Sequence, residues 1–284
     1  NSNVSDSFKM QFDLDSPWGK WRARGAKKLA LQLISGLPVN SMTRRLAFLF
    51  RKPIKEGSQE FYDVALWGLK LRLSAKGNLT EQRWLTMPNF HDYKERRFIE
   101  RELKSGGVFI DVGANAGFYS LWALSRENPS VRVVAVEPNP GTYERLQFNV
   151  SLNGLEPRLN LMQTAVTAQP REVVIDRNLE NLGQTKVSDS GSGLKVEGVA
   201  LLEVLNRSKV HKPKVLKIDI EGGEAEVLRS FFEDADSSRW PVGIIGEIFG
   251  SGGDEFSHLL KSEGYLLEDS TKMNGIFKLK GTDG

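Results

Sequence analysis

Apolar and polar positions recur in two different rhythms along this chain, and the change falls near residue 106. Ahead of it, residues 18–36 (WGKWRARGAKKLALQLISG) read as a basic amphipathic helix that ends at Gly36, with Pro38 beyond. Residues 41–50 predict a second short helix, stopped by Pro53. Residues 61–73 (FYDVALWGLKLRL) alternate and are rich in aromatic and aliphatic side chains, which predicts a strand pair turning near Trp67-Gly68. Residues 91–105 (HDYKERRFIERELKS) predict a charged helix that buries Phe98, Ile99 and Leu103 and stops at Gly106-Gly107.

Beyond that point short apolar runs alternate with helical ones. Strands are expected at 108–112, 131–137, 159–166 (LNLMQTAV), 215–220, 242–249, 265–269 and 275–280. Helices are expected over 117–127, 141–153, 199–206, 223–232 and 253–263, and a hairpin and loop over the polar stretch 170–197. Strands alternating with helices predict an α/β fold, a doubly wound, mostly parallel sheet with helices on both faces. Two regions follow: an N-terminal extension over 1–105, whose first 17 residues are polar, and an α/β domain over 106–284.

Composition narrows the chemistry. The 284 residues include no cysteine, which removes disulfides, thiolate metal sites and cysteine nucleophiles. The longest apolar stretches, such as Leu29–Leu37, are too short to span a bilayer. No signal-peptide layout is legible, and a cytoplasmic location is expected. Of 39 Lys and Arg, 11 lie in residues 1–60, against five of the 36 Asp and Glu. This basic leading segment reads first as a solvated helix and second as a peripheral contact for an anionic surface. Oligomeric state is not legible.

The candidate chemistry lies where ligands bind in open α/β sheets, at the carboxyl ends of the strands. The first of these strands ends in D-V-G-A-N-A-G (Asp111–Gly117) and the next ends in Glu137, followed by Pro138-Asn139-Pro140. Gly113 and Gly117 let the backbone turn tightly, and a carboxylate at Glu137 can accept from both hydroxyls of a ribose. Dinucleotide binders want G-x-G-x-x-G, whereas these glycines are separated by Ala-Asn-Ala. Asp111 before the turn would repel a pyrophosphate and suits the ammonium of a methionine moiety. Read singly, Asp111 is equally a satisfied helix cap, Glu137 an exposed strand-end acid, and the glycines an ordinary turn.

The blocks DVGANAGFYS (111–120), VVAVEPNPGTYERLQFNVSLNG (133–154), Ala165-Val166, LKIDIEGGEAEVL (216–228) and IIGEIF (244–249) resemble, in order and wording, the FkbM-type methyltransferases. The resemblance covers roughly residues 106–284. It implies a class I, Rossmann-like fold with a seven-stranded sheet holding one antiparallel strand near its edge. It also implies S-adenosyl-L-methionine as cofactor and a small-molecule or glycan hydroxyl as acceptor. By the same resemblance Asp111, Gly113, Asn115 and Gly117 line the methionine and ribose side of the cofactor, with Ala114 and Phe118 also in its site. Glu137 and Pro138 border the ribose, Asn139, Thr164 and Ala165 the adenine, and Asp219 faces the sulfonium. One departure is the glycine pair Gly222-Gly223, where the family usually has Gly-Ala.

A sugar hydroxyl needs a base, and Asp219, Glu247 and Glu221 at adjacent strand ends are the candidates. Two nearby carboxylates raise one another's pKa. Glu224 reads better as a helix N-terminal acid, and Lys217 as the partner of an acid. No compact ligand motif points to a metal. His91, His211 and His258 read as surface or packing residues, although His91 could lid the site. The polar stretch 178–193 and the aromatics Trp67, Trp84, Phe90 and Tyr93 are the candidates for contacting the acceptor, the aromatics being more often core. An RNA-modifying methyltransferase and a nicotinamide-dependent oxidoreductase remain as alternatives, the first lacking an RNA module, the second the glycine spacing.

Overall fold

In the computed structural model, which describes residues 12–126, 128–175, 187–188 and 193–282, an arginine lies at the heart of the first hairpin. Strands β1 (Phe61–Leu66) and β2 (Leu69–Ser74) pair antiparallel and set Asp63 opposite Arg72. The turn between them, Trp67-Gly68, has positive φ at both residues (55° and 78°), as hairpins with right-handed twist prefer. Arg72 is fully buried. It donates to both oxygens of Asp63 at 2.8 and 3.1 Å and to the carbonyls of Asp13, Ser16 and Pro17. Asp63 in turn accepts from the N–H groups of Gly19 and Trp21. A buried guanidinium is tolerated only when so paired, and here the pairing fastens residues 13–21 to the hairpin as a strap.

The strap corrects one expectation. The helix read from residue 18 begins only at α1 (Gly25–Gly36), because residues 18–21 are committed to the hairpin and Gly19 and Gly25 turn the chain at φ 109° and 54°. Helix α2 (Ser41–Phe50) forms as expected, with Asn40 accepting from the N–H groups of Met42 and Thr43, and α3 (Lys52–Lys55) follows. Helix α4 (Leu79–Thr86) was not expected. Asn78 caps it, and Glu81 at its third position accepts from the Ser74 N–H. Trp84 is fully buried and belongs to the core, and it stacks on the half-buried Trp67 at 5.5 Å.

The chain divides into two compact units, with the described residues up to His91 in one and those from Asp92 on in the other. The second opens with α5 (Tyr93–Glu102), β3 (Gly107–Val112), α6 (Phe118–Leu124), β4 (Val131–Val136), α7 (Pro140–Ser151) and β5 (Leu159–Met162). The run 159–166, expected as one strand, breaks here: Thr164 donates its hydroxyl to the Glu197 carbonyl, and the chain leaves for a second sheet. That sheet comprises β6 (Ala165–Val166), β7 (Arg171–Ile175), β8 (Val187–Ser188) and β9 (Leu194–Val199) in the order β6-β9-β7-β8. Then follow α8 (Leu201–Arg207), β10 (Val215–Ile218), α9 (Glu224–Asp234), β11 (Gly243–Glu247), α10 (Gly250–Ser262), β12 (Tyr265–Ser270) and β13 (Asn274–Leu279).

The main sheet has the order β12-β13-β11-β10-β3-β4-β5. Only β13 runs against its neighbours, one place in from the edge, which is the Rossmann-like arrangement the resemblance implied. Its two faces differ. Ile110, Val112, Val134, Val136, Leu216, Ile218 and Ile244 turn to one side and pack with α8, α9 and α10 residues such as Leu205, Leu228, Phe231 and Phe256. Because side chains alternate along a strand, Asp111, Lys217 and Glu247 share the other side. There α5 and α6 pack, with Trp122 Nε1 donating to the Arg96 carbonyl and the Arg96 guanidinium 4.4 Å over the Trp122 ring.

Candidate functional site

Asp111 is the next-to-last residue of β3 and is fully buried. One oxygen, Oδ2, accepts from the N–H and hydroxyl of Ser120 on α6, at 3.1 and 2.7 Å. The other, Oδ1, is buried with no hydrogen-bond partner. Burial raises this carboxyl above its ordinary range, and the charge of Lys217 on the neighbouring strand works against that. A buried acceptor without a donor is costly and marks a place where a donor group would be welcome.

The loop after β3 is held from three sides. Gly113 and Ala114 both donate to the Val136 carbonyl. Gly113 has φ 74°, and a Cβ on it would lie 1.9 Å from the Asp219 carbonyl oxygen, so only glycine fits between the ends of β3 and β10. At Gly117, φ 89°, a Cβ would meet Leu146 at 2.2 Å. Asn115 adopts φ 52° and gives its N–H to Glu137 Oε2 at 2.7 Å. Glu137 Oε1 accepts from the Asn139 N–H at 2.9 Å. Glu137 thus cross-links the turns after β3 and β4, and burial raises its pKa from 4.5 to about 7 despite those donors. Asn139 also caps α7 through the Gly141 N–H, with Pro138 half-buried beside it.

The end of β10 carries the acids. Lys217 is buried, its ammonium 3.1 Å from Asp219 Oδ2 and 4.8 Å over the Tyr119 ring. Burial pulls the ammonium down, but Asp219 and Asp111 outweigh it and leave it above its ordinary value. Asp219 itself is half-exposed. Glu247 ends β11, half-buried, and its carboxyl is raised first by burial and then by the charges of Asp219 and Glu224. Glu224 Oε1 accepts from the N–H groups of Ile220 and Gly222, so it holds its own turn closed, as expected of a helix-start acid. Glu221 stands exposed on that turn at φ 61°. Gly222 and Gly223 follow at φ 119° and 91°, so the one residue that departs from the family, Gly223, takes up a further left-handed position.

Phe118 is buried edge-on to Tyr119, and Ala114, Thr164 and Ala165 are buried as well. Thr164 spends its hydroxyl on the Glu197 carbonyl, and Ala165 pairs with Gly198. Most of the polar stretch 178–193 lies outside the described residues. His211 and His258 belong to the second unit and His91 to the first. Among the described residues no cluster of three or more His, Asp or Glu could hold a metal ion, and no helix is long and apolar enough to cross a membrane.

Two polar contacts had no sequence signal. Tyr119 donates its hydroxyl to Asp92 Oδ2 at 2.6 Å, and burial together with Asp92 drives the phenol well above its ordinary pKa. Glu95 Oε1 accepts from Thr271 and from Asn274 Nδ2 on β13, and burial raises this carboxyl too. Both join α5 to residues far along the chain, so no local pattern announces them.

The chain is similar in sequence to known methyltransferases. Residues 111–268 match the family model described as the methyltransferase FkbM domain. The chain is 28% identical over 183 residues to the hexuronic acid methyltransferase AglP of Haloferax volcanii, covering 63% of this chain and 71% of that protein. It is 28% identical over 201 residues to the 31-O-demethyl-FK506 methyltransferase FkbM of Streptomyces tacrolimicus, covering 58% and 75%. A solved S-adenosylmethionine-dependent methyltransferase from Agrobacterium tumefaciens superposes with a TM-score of 0.47 at 10% identity, over 80% of this chain and 72% of that one. With the family model spanning more than half of the sequence, the chain belongs to the FkbM family of S-adenosylmethionine-dependent methyltransferases.

Proposed function

We propose that this methyltransferase acts on a hydroxyl of a sugar or another natural product, with Glu247 as general base and Asp219 beside it. The observation that carries this reading is the pairing of the two strand ends. Asp219, held by Lys217, lies close enough for its charge to help burial raise the Glu247 carboxyl, the two acids standing at the ends of the adjoining strands β10 and β11. The relatives named for a hexuronic acid and for a 31-O-demethyl compound support an oxygen acceptor.

The residues present fit S-adenosylmethionine. Asp111 offers a buried acceptor that lacks a donor. The glycine turn lets backbone approach closely, and Glu137, Asn139, Thr164 and Ala165 border the ribose and adenine side. When bound, the cofactor supplies a methyl group already activated by its sulfonium charge. The chain must then align the acceptor oxygen in line with that methyl, which is worth ~7–11 kcal/mol in favourable systems. Glu247 takes the hydroxyl proton at its carboxylate, and its raised pKa brings it closer to neutral working pH, where a base is most effective. Lys217 keeps Asp219 in place and neutralises part of the acid cluster.

The test is thermal denaturation followed by an acceptor screen. S-adenosylhomocysteine should raise the melting temperature and NAD should not, since a ligand stabilises the native state it binds. The screen should then find methyl ethers on uronic or neutral sugars or on polyketide alcohols. Stabilisation by NAD alone, or methylation confined to amines or RNA, would overturn the proposal.

A further inference from the structure

We propose that the first unit docks on an anionic lipid bilayer through the outer faces of α1 and α2. Between Ser16 and Lys55 the chain carries ten Lys and Arg and no Asp or Glu. The same stretch concentrates the exposed apolar surface. Seven of the 13 exposed large hydrophobic residues among the described ones fall between positions 29 and 49. Each helix buries one stripe, Ala30 and Ile34 on α1, Thr43 and Ala47 on α2. Each leaves a second stripe in solvent, Leu29 and Leu33 on α1, and Met42, Leu46 and Leu49 on α2, at spacings that share a helix face. Met42 and Leu49 are both 70% exposed, more than isolated surface leucines need explain.

A second feature of this unit has the matching chemistry. At the start of α1 a cavity of about 580 Å³ is lined by Lys20, Arg22, Arg24 and Lys27 with Trp21, and by no acid. Arg22, Arg24 and Lys27 make no ion pair among the described residues. Lys20 is paired with Asp13 at 3.3 Å, which leaves three unpaired cations to suit a phosphate headgroup, and the aliphatic stripes flanked by Lys28, Arg44 and Arg45 suit an acyl boundary. Helices of 12 and 10 residues are too short to span and well sized to lie in the interfacial plane. RNA fits less well, because six of these seven exposed side chains are aliphatic and only Phe48 offers a base a ring to stack on. A second copy of the chain fits less well still, since it would face one uncompensated cationic surface with another.

The experiment is flotation of the full chain with vesicles, read against salt. The protein should float with equal parts phosphatidylcholine and phosphatidylglycerol, and stay behind with phosphatidylcholine alone. Leu46→Ser with Leu49→Ser, both solvent-facing, should abolish the fraction that survives high salt. Arg44→Gln with Arg45→Gln should weaken binding about 25-fold at low salt, about fivefold for each cation lost. Leu266→Ser, an exposed leucine of the other unit, should change nothing. An unchanged melting temperature in each variant shows the fold intact. Failure to float, or flotation indifferent to Leu46 and Leu49, overturns the proposal. So does an RNA that competes at equimolar amounts, or a dimer in sedimentation that the Leu46/Leu49 variant dissolves.

Discussion

Lys217 stands beside Asp111 on the adjoining strand and reaches forward 3.1 Å to Asp219, so one buried ammonium serves two carboxylates. Replacing it with Met should lower unfolding stability by about 3 kcal/mol, because the fully buried Asp111 loses its compensating charge. Asp219, being half-exposed, should contribute little of that loss. Adding Asp111→Asn to the Met variant should recover part of the stability. Additive losses in that double-mutant cycle, measured by denaturant unfolding, would refute the coupling.

Glu137 makes stability depend on pH in a definite direction. Its folded pKa, about 7, lies above its ordinary 4.5, so the native state holds the proton more tightly than the unfolded chain. Stability from this group is therefore present in full below 4.5 and is lost as pH rises to about 7. Glu137→Gln cannot ionise and should flatten that fall, while lowering stability throughout, because its NH2 replaces one of the two oxygens that accept from Asn115 and Asn139. Melting curves of parent and variant from acid to neutral pH decide it, and equal slopes would count against the burial of this carboxyl.

Gly113→Ala should be among the most damaging small substitutions in the chain. It forces a Cβ to within 1.9 Å of the Asp219 carbonyl and an L-residue into φ 74°. The expected cost is about 2–4 kcal/mol from overpacking and left-handed strain together. Stabilisation by S-adenosylhomocysteine should vanish with it. Isothermal titration showing unaltered affinity would separate the turn from the cofactor.

Glu247→Gln should reduce kcat by about 10²–10⁴-fold and leave cofactor binding intact. In the parent enzyme the rate should climb with pH through a carboxylate pKa above the ordinary 4.5, since the base works only when ionised. The variant should lose that acid limb. A Gln variant with parental kcat would move the base elsewhere, with Asp219 the next to examine.

The core of this arrangement was legible because its strands are short apolar runs closed by Gly or an acid. Asp111, Gly113, Glu137, Asp219 and Glu247 all stand at strand ends on sequence grounds alone. What escaped was set by distant partners. The break after Met162 follows from Thr164 and Ala165 engaging Glu197 and Gly198, more than 30 residues away. The Tyr119–Asp92 pair spans 27 residues between two helices. Helix α4, by contrast, is announced by Asn78 and Glu81 at capping spacing, but its few apolar residues, Leu79, Trp84 and Leu85, set no clear helical period.

Arg72 sets a limit on how the first unit can be dissected. The guanidinium draws three of its acceptors from backbone 55–59 residues earlier. A shortened version starting beyond Pro17 would keep the hairpin and the Asp63 pair but lose those carbonyls, leaving the guanidinium short of three acceptors. A safe cloning boundary for this region therefore lies upstream of Asp13, however dispensable the leading residues look by composition.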